Sequence, residues 1–171
     1  VALGGVAGPD RNRVQTTSSS DVIWAKLGVQ LNPVSTDQVT RVNRQLNGDL
    51  PDGHFATLFF ARLDPVNLSL SYSSAGHWPG YVLDARGEVR ELLESTGLPL
   101  GIDPEADFPA GPVVPLQLGD LVLLLTDGIL ETHTPDGTIF GLERVLRSVR
   151  ESRNAPPSEI IAALFRAGSA F

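Results

Sequence analysis

The spacing of apolar positions changes along the chain, and each change marks an element. Val39, Val42 and Leu46 recur at helical spacing, which predicts a helix over residues 35–47. Ser35 is its candidate N-cap and Gln38 completes a capping box; Val34 and Val39 are placed as a hydrophobic staple, and Gly48 is the expected stop. Phe55–Leu63 and Leu68–Ser74 are β-rich runs on either side of Asp64-Pro65, a predicted hairpin. Gly80–Asp84 and Glu88–Leu92 form a second one around Ala85-Arg86-Gly87. Residues 95–112 are rich in Gly and Pro and read as loop. Val113–Leu116 and Leu121–Thr126 are two more strands across the turn at Gly119-Asp120. Leu142, Val145, Leu146 and Val149 return to helical spacing, Asn154–Pro157 break that helix, and Ile160, Ile161, Leu164 and Phe165 mark a last one with Pro157 in its first turn. The first 32 residues are less regular: a short strand over 1–8 and a helix within 9–32 are expected. Helix, then antiparallel strands, then helices predicts an α+β fold with a packed sheet core.

Composition narrows the function classes. The 171 residues suit one domain with a real core. The formal net charge of −7 leaves no basic stripe to displace counterions from a phosphate backbone, which argues against nucleic acid and against an anionic membrane surface. No cysteine is present, so disulfides, thiolate zinc sites and cysteine nucleophiles are excluded, and a cytoplasmic setting is expected. No apolar run is long enough to span a bilayer, and no signal peptide is visible.

The candidate chemistry centres on Gly119–Thr132, GDLVLLLTDGILET. Its apolar run delivers Asp127 to a strand end, with Gly128 next. Asp-Gly is a common turn. A carboxylate on rigid backbone is equally what a hard ion such as Mg²⁺ or Mn²⁺ selects. One carboxylate cannot hold a catalytic ion alone. Asp10, Asp21, Asp120, Glu131 and Asp136 are candidate partners, although Asp120 sits at the far end of the strand, and Glu131 and Asp136 read more simply as solvated. His77 reads as a structural histidine bonded to nearby backbone. His54 and His133 lack partners at zinc-ligand spacing. The haloacid-dehalogenase arrangement fails because Leu125 stands where its nucleophilic Asp would be, and no G-x-S-x-G, Walker or dinucleotide loop occurs.

The motifs fall in a specific order: Phe55-Ala56-Thr57-Leu58-Phe59, Ser74-Ala75-Gly76-His77-Trp78-Pro79, Gly97-Leu98-Pro99-Leu100-Gly101, Gly119-Asp120, Thr126-Asp127-Gly128-Ile129-Leu130-Glu131 and Phe140-Gly141. This series resembles the SpoIIE/RsbU-type serine phosphatases, a bacterial branch of the metal-dependent PPM protein phosphatases, over about residues 3–167. The resemblance implies two antiparallel sheets packed face to face with helices outside, an α-β-β-α sandwich. It implies Asp127 as a metal ligand and two Mn²⁺ or Mg²⁺ ions that activate a water to hydrolyse phosphoserine or phosphothreonine. It further implies a phosphorylated STAS-type anti-sigma-factor antagonist as the partner, with a homodimer among the expected assemblies.

The chain also departs from the family. The family's D-V-S-G-H-G segment, whose Asp bridges both ions, corresponds to Gly5-Val6-Ala7-Gly8-Pro9-Asp10. The distance from Gly5 to Asn43 matches the family spacing to its helical Asn. Gly5 therefore stands in place of the bridging Asp. The family's Asp-Asp pair on a last strand is expected beyond Phe171. The reading is thus a single domain over 1–171 with its terminal strands cut short. Two alternatives stay open: a degenerate phosphatase that binds a partner without turnover, and an unrelated α+β domain.

Overall fold

A computed structural model of the chain describes residues 36–51 and 53–171. The expected strand over 1–8, the helix within 9–32 and the cap at Ser35 lie outside the described residues. Helix α1 (Thr36–Asp49) opens the described fold. It runs through Gly48, against expectation: the Leu50 N–H still donates to the Leu46 carbonyl (2.9 Å), and Pro51 follows. Its inner face also differs. Val39 and Asn43 are buried, whereas Val42 is exposed. Spacing of four rather than three turns Asn43 inward, toward the 97–103 loop.

Strands β1 (Leu58–Asp64) and β2 (Ser69–Ala75) form the first expected hairpin, in register from Leu58–Ala75 to Asp64–Ser69. The Asp64 carboxylate caps its turn by accepting the N–H groups of Val66 and Asn67, both at 3.0 Å. Strands β3 (Gly80–Leu83) and β4 (Val89–Leu93) form the second. Asp84 plays the same part there, accepting from Arg86 and Glu88.

The next two strands do not pair with each other. Strand β5 (Val114–Pro115) joins β2, and β6 (Leu121–Leu123) joins β3. The turn at Gly119-Asp120 therefore crosses between two sheets, ordered β1-β2-β5 and β4-β3-β6. Arg90 on β4 spans the crossing, donating to the Pro115 carbonyl and to the Asp120 carboxylate.

Alternation along the strands assigns each face. Leu70 and Tyr72 meet Val82, Leu93 and Val122 between the sheets. On the outer face of the first sheet, Leu58, Phe60 and Ala75 pack with Val39 of α1 and with Phe108. On the outer face of the second, Tyr81, Leu83 and Leu123 meet α3 (Gly141–Ser152) and α4 (Pro157–Ser169) through Val145, Val149, Ile160 and Leu164. Phe165, expected on the α4 core face, is exposed. The architecture is the α+β sandwich of two antiparallel sheets between helical layers. Among the described residues no helix is long and apolar enough to cross a membrane.

Candidate active site at the Asp127 end

The antiparallel registers bring four segments to one end of the sandwich. Leu58 pairs with Ala75, Gly80 with Leu93, and Tyr81 with Leu123. The start of β1, the 76–79 link, the chain after β4 and the chain after β6 therefore all emerge there. Bridges between Ala56 and Leu100 and between Ala75 and Gly97 tie these segments together.

Asp127 leaves β6 at this end. It is neither part of a hairpin turn nor a strand residue: it opens α2 (Asp127–Leu130), a single helical turn. Thr126 precedes it in extended backbone, and the Glu131 N–H donates to the Asp127 carbonyl (2.7 Å). Leu125 and Leu130 are buried on either side, so the exposed Thr126–Gly128 step rests on two core anchors. The Thr132 hydroxyl bonds the Gly128 carbonyl (2.8 Å) and closes the turn. The carboxylate is thus presented to solvent on a fixed backbone.

Of the other candidate acids, Glu131 caps the same helical turn, and Asp120 and Asp136 take other parts. Asp120 lies at the opposite end of β6, with its carboxylate nearly buried against Arg90. Asp136 is occupied in the 134–138 turn, accepting from the Thr134 hydroxyl and the Thr138 N–H. Glu131 is exposed. Asp10, Asp21, Gly5 and the whole segment around them lie outside the described residues. Among the described residues no three His, Cys, Asp or Glu side chains come close enough to hold a metal ion. Asp127 suits one oxygen ligand of a hard divalent ion. Two ions repel and need several carboxylates around them, and the described residues assemble no such set around Asp127.

The loops beside Asp127 are held firmly. His77 Nδ1–H donates to the Trp78 carbonyl (2.8 Å), and its ring lies edge-on to Phe59 at 6.0 Å. This matches the structural part expected of it. Gly76 has φ +63°, and a Cβ there would sit 2.4 Å from Pro99 Cγ, so only glycine lets the two loops touch. Asn43, which the sequence marks only by its spacing from Gly5, locks α1 to the 97–103 loop. Its Oδ1 accepts the Gly101 N–H (2.9 Å) and its Nδ2 donates to the Asp103 carbonyl (2.8 Å). The available signal was a polar residue four positions after Val39, on the core face.

The family described as Stage II sporulation protein E (SpoIIE) matches residues 6–170. The chain is 33% identical over 101 residues to Protein IcfG of Synechocystis sp., covering 59% of this chain and 16% of that protein. It is 31% identical over 96 residues to phosphoserine phosphatase RsbU of Bacillus subtilis, covering 56% of this chain and 28% of that one. It therefore spans under a third of either relative. Among solved structures, the RsbU and RsbW domains of Rv1364c from Mycobacterium tuberculosis align with TM-score 0.60 and 25% identity over 77% of this chain and 37% of that one. The SiaA-PP2C domain of Pseudomonas aeruginosa aligns with TM-score 0.61 and 20% identity, over 78% of this chain and 52% of that one, which speaks to the fold alone. With the sandwich, the ordered motifs and the family match in agreement, the chain belongs to the SpoIIE family, a SpoIIE/RsbU-type domain of the PPM serine/threonine phosphatases.

Proposed function

We propose that this chain removes phosphate from phosphoserine or phosphothreonine on a bacterial signalling protein of the STAS anti-sigma-factor antagonist type, in the cytoplasm. The observation that carries the reading is Asp127, a carboxylate on fixed backbone at the exposed end of β6 within the span matched by the family. Similarity to phosphoserine phosphatase RsbU supports the choice of phosphoserine. The family's Mn²⁺ or Mg²⁺, when bound, would supply a polarised phosphate and an activated water. Asp127 is the described residue that would hold such an ion, and its remaining ligands would come from outside the described residues. Its exposure suits a phosphate carried on a protein surface rather than a small ester enclosed in a cavity.

Gly5 favours a second reading, in which the same end binds a phosphoprotein without turnover. One experiment separates the two. Phosphate release from a phosphorylated STAS protein is followed with Mn²⁺ present. Hydrolysis predicts turnover that Asp127→Ala lowers by about two orders of magnitude or more. Binding with no release, restored by Gly5→Asp, would establish the second reading. Equal release by wild type and Asp127→Ala would contradict the role of Asp127.

A further inference from the structure

The Asp127 end carries an exposed apolar rim. Phe55 is 60% exposed, Trp78 44%, Leu98 52% and Ile102 53%. All four belong to the segments that emerge at this end, and the contacts between Gly76 and Pro99 and between Gly101 and Phe55 hold those segments side by side. Single exposed apolar side chains are ordinary, whereas several rimming one candidate site mark a contact surface.

Charge gives the occupant its chemistry. Between Glu91 and Glu143 the sequence holds ten acidic residues and no Lys or Arg. Glu94, Asp103, Glu105 and Asp107 stand exposed in the loops around the rim. None of them takes part in the three ion pairs among the described residues. Elsewhere Asp120 pairs with Arg90, Glu88 with Arg150, and Asp64 and Asp84 accept within their turns, as Asp103 at the rim accepts the Glu105 N–H (2.9 Å). The exposed arginines 147, 150 and 153 lie on or just after α3, on the other side of the second sheet. Of the elements bordering the rim, α1 carries the exposed Arg41 and Arg44.

We propose that this end is the docking surface for a protein partner whose phosphorylated residue is flanked by cationic and apolar side chains. The inference rests on the phosphatase-site reading of Asp127 and adds the recognition around it. Apolar contacts with Phe55, Trp78, Leu98 and Ile102 supply the buried area, while the carboxylates that form no ion pair among the described residues select a basic partner and speed its encounter.

Two short fluorescent phosphoserine peptides test this by anisotropy, one flanked by Arg and Leu, the other by Glu and Ser. The basic, apolar peptide binds at least roughly tenfold more tightly, and added salt narrows the difference. Trp78→Ala with Leu98→Ala, and separately Glu105→Gln with Asp107→Asn, each reduce the preference, while Leu118→Ala at the opposite end of the sandwich leaves it unchanged. Equal binding of the two peptides, or an equal loss in Leu118→Ala, overturns the proposal. The same samples are assayed with p-nitrophenyl phosphate and Mn²⁺. Hydrolysis of this ester without peptide preference overturns the docking surface and leaves the phosphatase reading. Preference without hydrolysis of any substrate supports the docking surface and removes that reading.

Discussion

Asp127 and Asn43 show how differently two polar residues can be used within one end of a fold. Asp127 is exposed and engages no side chain among the described residues, and its fixed position comes from Leu125 and Leu130 on either side. Asn43 is fully buried, and both ends of its amide are committed to the 97–103 loop. Asn43→Ala would strand the Gly101 N–H and the Asp103 carbonyl, and urea unfolding should register a loss of about 2 kcal/mol. Asp127→Ala should leave unfolding unchanged, because its side chain supports no packing. A variant pair with the reverse pattern would show that Asp127 is structural. Asp127 was legible in the sequence because an apolar run ended at Asp-Gly. The Asn43 clamp was not, because its partners lie about sixty positions away and helical periodicity counts only apolar residues.

At the level of elements, hydrophobic period reported where strands and helices lie but not which strands pair. Both hairpins and both C-terminal helices were legible, since each is set by local alternation and a turn. The separation of β5 and β6 into different sheets was not. Arg90, thirty positions before Asp120, ties β4 to the link between the sheets, a contact that no local pattern marks. The Asp120 carboxylate is only 3% exposed, so Arg90→Leu leaves a buried charge without its partner. The expected cost is about 3 kcal/mol or more. Thermal unfolding of Arg90→Leu beside Arg90→Leu with Asp120→Asn checks this, the double variant recovering part of the loss. No recovery would mean that the bridge does not organise the crossing. The start of α2 was likewise hidden, because a single helical turn is too short to show a period.

Among the described residues, the layers run α1, first sheet, second sheet and the α3–α4 pair, with the Asp127 segment at one end of the sandwich. Three turn carboxylates have shifted titration. The Asn67 backbone N–H holds Asp64 below its ordinary value of 3.8. The Glu88 N–H does the same for Asp84, and the Thr134 hydroxyl for Asp136. Depressed folded values mean that this contribution is present above about pH 3.8 and fades as pH falls through the lower folded values. Burial raises Tyr72 and Tyr81 above their ordinary 10.0, so their contribution is present below that pH and is lost on further alkalinisation. Melting temperature should therefore hold across neutral pH with respect to these groups and fall on both flanks. An acid flank unchanged by Asp64→Asn with Asp84→Asn would contradict the assignment.

The most direct test of the central claim is where a metal ion sits. Crystals of the chain soaked in Mn²⁺ and measured at the manganese absorption edge would show anomalous density. The account predicts a peak at the Asp127 carboxylate, about 2.0–2.3 Å from an oxygen, that vanishes in Asp127→Ala. Density confined to the Asp64, Asp84 or Asp136 turns, or none at Asp127 under saturating Mn²⁺, would contradict it.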